Sequence, residues 1–162
     1  MASSRPTDKI QARAVGRLRP DGSSYRSLSL APALKLAREA GLDGYQLEAE
    51  ALRQGILPER YARNTQALSL EDQRVLLESS ACIVGLGGLG GTVAEVLARI
   101  GVGRLRLIDG DRFEEHNLNR QRFAHTGNLG RLKAQEAGKQ IAQINPAAAV
   151  TARTVFLTDE NA

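Results

Sequence analysis

At 162 residues the chain has room for one ordinary domain, or for a small module joined to part of a larger one. With 42% hydrophobic and 25% charged residues it is too apolar to be disordered, and with 4% aromatics and no Trp its core must rest on Leu, Ile, Val and Ala. The net charge of +4 invites a nucleic-acid partner, but residues 1–30 carry six cations against two anions, which is the whole excess.

That basic stretch has no ladder of aromatics to stack on bases, so it reads as a solvated arm. Docking onto an acidic partner is the alternative, and a nucleic-acid partner is not expected. The single cysteine, Cys82, excludes a disulfide framework and a Cys-rich metal site. His116 and His125 have no metal-ligand spacing and read as loop residues, so no metal ligand is assigned. There is no signal-type apolar segment at the start and no apolar run of ~18 residues, so no membrane segment is predicted and the default location is cytoplasmic.

Taken in chain order, residues 1–12 are polar and read as a flexible arm. Residues 14–18 and 25–28 read as the strands of a hairpin. Pro20, Asp21 and Gly22 supply its turn: a preset φ, a turn-favouring carboxylate and a residue free to take φ > 0. Ser29 can begin a helix that runs to Ala40 and stops at Gly41, and a second helix covers 44–54 before Gly55. These pieces predict a small ββαα accessory module over 13–56. Residues 57–79 form a helical segment, with a Ser69–Asp72 capping-box pattern ahead of a helix to about 79.

The pattern changes at residue 80. Residues 81–84 are a short unbroken apolar run, the signature of a buried parallel strand. Cys82 lies in it and reads as a core residue. A glycine-rich turn follows, then a helix to about 100, a strand over 105–109, a loop-rich stretch over 110–130, a helix over 131–144 and a strand over 149–156. Strand, helix, strand, helix, strand is one mononucleotide-binding half of a doubly wound α/β fold, here strands 1–3 over residues 80–162.

Gly85, Gly87 and Gly90 form G-x-G-x-x-G between a strand and a helix, and Gly88 adds a fourth glycine. Such glycines let backbone N–H groups approach a phosphate-bearing ligand at the helix N-terminus. Asp109 ends the next strand, 19 residues past Gly90, where a carboxylate can accept both ribose hydroxyl hydrogens of NAD or ATP. Asp111 follows with less weight. Asn117, Arg120 and Lys133 then favour ATP, because a nucleotidyl transfer needs donors for the charge that builds on a triphosphate. A dehydrogenase leaves them without a shared purpose.

In order, the chain carries Arg60-Tyr61-x-Arg63-Asn64, the glycine turn, Gly101-Val102-Gly103, Ile108-Asp109-x-Asp111, Asn117-Leu118-Asn119-Arg120-Gln121, Gly130-x-x-Lys133 and Ile144-Asn145-Pro146. Those seven blocks, over about 87 residues, resemble the front half of the ThiF/MoeB/HesA adenylyltransferases, relatives of the ubiquitin-activating enzymes. The resemblance implies that Gly85, Gly87, Gly88 and Gly90 line an ATP site, with Asp109 and Asp111 near the ribose and Asn117, Arg120 and Lys133 on the phosphates. It implies that Arg63 crosses a homodimer interface into the partner's ATP site, so that 57–79 is a dimerisation segment and Arg63, Arg120 and Lys133 are the catalytic residues.

The implied reaction adenylates the C-terminal carboxylate of a small ubiquitin-like sulfur carrier of the ThiS or MoaD type. Alternatives are a non-catalytic nucleotide-binding or dimerisation subunit, or an adenylating dehydratase that modifies tRNA. The family pattern continues past residue 162 into parts that carry an Asp organising Mg2+, zinc ligands where present, and any transfer cysteine. The chain is therefore expected to be incomplete and inactive alone.

Overall fold

The computed structural model describes residues 6–161, and the chain divides between Glu78 and Ser79 into two units. The first begins with helix α1 (Pro6–Arg13), where Pro6 sits in the first turn, at no cost in hydrogen bonds, and Asp8 near the N-terminus and Arg13 in the last turn match the helix dipole. The expected loose arm over 1–12 is corrected for residues 6–12, because Ile10 is fully buried and anchors the helix. Residues 1–5 of that arm lie outside the described residues.

The hairpin forms as predicted. Strand β1 (Val15–Leu18) pairs antiparallel with β2 (Ser24–Leu28), and Gly22 takes φ +83° in the turn. Helix α2 (Leu30–Ala40) ends at Gly41 in the left-handed region, and α3 (Gly44–Arg53) opens with the Gln46 side chain accepting from the Asp43 N–H at 2.9 Å. Gly55, at φ +72°, then turns the chain into β3 (Ile56–Pro58), which pairs parallel with β2. The ββαα module is therefore a mixed three-stranded sheet in the order β1-β2-β3, and the boundary drawn at residue 56 cuts through its last strand. Ile10, Leu28, Leu36, Leu47 and Ile56 bury together beneath it.

Beyond β3 two short 3-10 turns, Glu59–Tyr61 and Asn64–Gln66, lead to α4 (Leu70–Glu78). Its capping box closes as predicted: the Asp72 N–H donates to Ser69 Oγ at 3.1 Å and the Ser69 N–H to Asp72 Oδ2 at 2.9 Å. Arg60 reaches back from the first turn to α3 and clamps both oxygens of the buried Glu48, at 2.7 and 2.5 Å. Burial pushes the Glu48 carboxyl up, against the pull of that guanidinium.

The second unit is a parallel three-stranded sheet in the order β4-β5-β6, from β4 (Ser80–Val84), β5 (Arg104–Ile108) and β6 (Ala149–Arg153). Helix α5 (Gly88–Ile100) connects the first two strands and α6 (Lys133–Ile144) the last two, and the helices pack on the sheet and on each other. Strand alternation places Ile83, Leu105 and Leu107 in the buried layer with Ala94, Ala98, Ala137 and Ile141 of the helices. The opposite register row, Cys82 beside Arg106 and Thr151, is exposed.

The reading of Cys82 as a core residue is thus corrected. The apolar run said "strand buried on both faces", while β4 has a neighbour on one side only and one face open to solvent. The last strand also stops at Arg153 rather than 156; Val155, Phe156 and Leu157 leave the sheet partly exposed.

Candidate functional site

The glycine turn is built by steric demand. Gly85 takes φ +82° at the end of β4, and its N–H donates to the Ile108 carbonyl at 2.8 Å, which seats the turn on β5. Gly87 caps α5. A Cβ on Gly90 would lie 1.8 Å from the Gly85 carbonyl oxygen, so only glycine lets the first turn of α5 close over the strand end. Gly88 faces the Arg120 carbonyl and Gly87 the Gln121 amide, so the turn packs against the 117–121 stretch.

Asp109, nearly buried at the end of β5, ties this turn down. Its Oδ2 accepts from the Leu86 N–H at 2.6 Å and its Oδ1 from the Asp111 N–H at 2.8 Å. A carboxylate offers about four lone-pair positions, so these two bonds hold it rigid and leave acceptor capacity for hydroxyl donors. Lys133, the first residue of α6, is 6% exposed; its backbone N–H donates to the Asp111 carbonyl at 2.9 Å and its ammonium to Asp111 Oδ2 at 3.2 Å. Asp109, Asp111 and Lys133 are therefore brought together, with Asp111 orienting the buried cation.

Asn117 is buried in a short turn, where its Oδ1 accepts from the Glu114 N–H at 3.0 Å, leaving only its amide N–H groups to donate. Arg120 is exposed and folded on its own turn, donating to the His116 carbonyl at 2.7 Å and Asn119 Oδ1 at 3.1 Å. Arg122, next along, bonds the Glu95 carboxylate of α5, and Arg99 reaches the same group at 2.7 Å. The Arg122 hydrogen bonds hold the Glu95 carboxyl down to about 2, against the upward push of burial, with Arg99 adding to the pull. Gln140 and Asn128 both donate to the Phe123 carbonyl, so the whole 117–128 loop is pinned onto α5 and α6.

Gln121 was not among the predicted site residues, although it closes the Asn117–Gln121 motif. It is 8% exposed beside Gly87, and its Oε1 accepts no hydrogen bond. A buried acceptor without a donor is costly. Among the described residues, no group of three or more His, Cys, Asp or Glu is placed to hold a metal ion. Arg63 belongs to the first unit, where it is exposed between the two 3-10 turns.

The ThiF family profile matches residues 61–162, well over half of the chain. Among curated proteins, the tRNA threonylcarbamoyladenosine dehydratase of Bacillus subtilis (strain 168) is 39% identical over 101 residues, covering 62% of this chain and 40% of that protein. The sulfur carrier protein adenylyltransferase of Thermus thermophilus is 40% identical over 110 residues, covering 68% of this chain and 38% of its own length. Among solved structures, the Escherichia coli dehydratase TcdA in complex with ATP superposes with a TM-score of 0.62 at 36% identity, covering 64% of this chain and 42% of that one.

The chain spans at most about two fifths of the length of the curated relatives it matches. The parallel sheet, the glycine turn closed over its strand end and the family match agree in the Rossmann-like α/β fold. The chain belongs to the ThiF family.

Proposed function

We propose that the second unit binds ATP and serves an adenylating enzyme. The observation that supports this most directly is the glycine turn closed onto Asp109, with the unpartnered Gln121 acceptor beside it and the Lys133 ammonium at the next helix. In this reading Gly85, Gly87, Gly88 and Gly90 let the triphosphate approach the backbone at the start of α5, and the remaining lone pairs of Asp109 take the ribose hydroxyls. Lys133, Arg120 and the Asn117 amide then face the charge that develops as the α-phosphate is attacked. Asp111 keeps Lys133 extended toward it. Mg2+ would be held mainly by the phosphates, since these residues offer it no cage of their own.

The attacking group in the first reading is the C-terminal carboxylate of a small sulfur carrier. One carboxylate oxygen bonds to the α-phosphorus, the bond from that phosphorus to the bridging oxygen breaks, and pyrophosphate leaves with the electron pair. Arg63 would act from a partner copy in a homodimer, completing the charge stabilisation. A second reading keeps the adenylation and takes a modified tRNA as substrate; it is favoured by the dehydratases among the relatives, 39–41% identical to this chain. Zinc, a cytoplasmic location and the homodimer belong to the proposal.

Exchange of labelled pyrophosphate into ATP tests it, on this chain and on the longest form of the gene. Exchange stimulated by a sulfur carrier supports the first reading, and exchange stimulated by tRNA the second. Failure to bind ATP at all, or a preference for NAD, overturns both.

A further inference from the structure

Helix α5 turns one row of residues toward the loop that follows β5, and that row is built for close approach. Gly91 and Glu95 follow Gly88 at i+3 and i+7, the spacing that puts helix positions on one face. A Cβ on Gly88 would lie 3.4 Å from the Arg120 carbonyl oxygen, and one on Gly91 would lie 3.4 Å from the Phe123 ring and 3.6 Å from Arg122 Cβ. The two glycines therefore let the 120–123 stretch lie directly along the helix. Where the row reaches Glu95, contact gives way to a clamp. Arg122 donates from Nε to Oε2 and from Nη2 to Oε1, the latter at 2.8 Å, and Arg99, one turn further along α5, donates to Oε1 at 2.7 Å.

The clamp is buried at its centre and wet at its rim. The Glu95 side chain is 8% exposed, whereas those of Arg122 and Arg99 are more than half exposed. Both Glu95 oxygens are occupied, so this carboxylate acts through the arginines it holds. Arg122 comes directly after Gln121, which is buried beside Gly87, and two residues after Arg120, whose carbonyl faces Gly88. Among the described residues, the Arg120 side chain bonds only within its own turn and Gln121 Oε1 accepts nothing. The side-chain tie between this stretch and α5 is the one at Arg122.

We infer that Glu95 and Arg122 are a positioning pair for the nucleotide site, fixing the loop that carries Asn117, Arg120 and Gln121 at a set distance from the glycine turn. This rests on the reading of the second unit as an ATP site. Helix α5 is continuous from Gly88 to Ile100, so the end that closes the glycine turn and the point that holds the loop move as one rod, roughly 10 Å apart along its axis. A bidentate fork fixes direction as well as distance. The two sides of the site are thereby spaced before a phosphate chain arrives, and binding ATP need not order the loop first. Neither member of the pair touches the ligand; each acts on the residues that do.

The test compares the 162-residue chain with Glu95→Gln, Arg122→Met, the double variant and Arg122→Lys, each checked for folding by circular dichroism. Calorimetric titration should show ATP weakened about 10-fold by either single substitution and no further in the double variant. Arg122→Lys, which keeps the charge without the fork, should fall between. Binding of AMP should change little, because its ribose contact at Asp109 survives; a merely structural defect would weaken ATP and AMP alike. Without nucleotide, the amides of residues 117–123 should exchange hydrogen faster in the variants while those of β4 and β5 keep their protection. Parental ATP affinity in folded variants, or a loss shared equally by AMP, overturns the pair and leaves the nucleotide reading standing. If the parental chain binds no ATP, that reading falls, and hydrogen exchange still decides the clamp: faster loop exchange upholds it, and unchanged exchange overturns it.

Discussion

Two glycines of one motif carry different burdens, and mutation separates them. Gly85 has open space around its missing Cβ, so Gly85→Ala meets only the left-handed backbone and should cost about 1–2 kcal/mol. Gly90 has the Gly85 carbonyl where its Cβ would go, so Gly90→Ala must push the turn open, costing about 1–3 kcal/mol and removing ATP binding. Urea unfolding and calorimetry check both; ATP binding by Gly90→Ala at parental strength would show that the turn is not the site. Asp109→Ala should weaken ATP by about 1.5–3 kcal/mol, since it deletes charge-assisted bonds and loosens the Leu86 anchor together. Arg60→Met leaves Glu48 buried without its cation and should destabilise the first unit by about 3–5 kcal/mol, a loss largely recovered in the Arg60→Met, Glu48→Leu double variant. These positions differ in legibility. Asp109 and the glycines announce themselves by spacing, whereas Glu48 reads as an ordinary surface residue of a helix until the fold delivers Arg60 to it.

At the scale of elements, the capped and patterned segments were readable and the short ones were not. Helix α2 stops at Gly41 and α4 starts at Ser69 because backbone geometry requires those residue types there, and the structure agrees. Helix α1 has a single fully buried side chain in eight residues, too little periodicity to see, yet its packing matters: Ile10→Ala should cost about 2–5 kcal/mol in thermal or urea unfolding. Strand β3 is three residues long and ends in proline, so only its pairing with β2 makes it a strand. The 117–128 loop depends on the Glu95 cluster, and that dependence has a pH signature. Glu95 is shifted from an ordinary 4.5 down to about 2, so its contribution is fully present above pH 4.5 and is lost as pH falls toward 2. Glu95→Gln should lower stability at pH 7 and flatten the acid limb between pH 4.5 and 2. An acid limb unchanged by that substitution would place the sensitivity elsewhere.

For the molecule as a whole, one face invites association. Leu89, Val93 and Val96 form a stripe along α5 that is 80%, 40% and 55% exposed, and β4 is an edge strand whose Val84 is 52% exposed. Unpaired strand edges and exposed apolar stripes recruit partners. The isolated 162-residue chain should therefore self-associate, and light scattering should show larger species than a monomer that shrink when Leu89 and Val96 are replaced by Ser. A monodisperse monomer would refute this. By itself the sequence determined the parallel strand-helix-strand layout, the ends of the capped helices and the place of the glycine turn, because φ > 0, close backbone approach and helix capping each admit few residue types at set spacings. Only the tertiary structure decided that Cys82 is exposed, that Gln121 is left with a free acceptor, that Asp111 orients Lys133 and that Arg122 is delivered to Glu95. Those facts depend on which strand has a neighbour and which distant loops meet, and no local pattern of residues encodes a long-range contact.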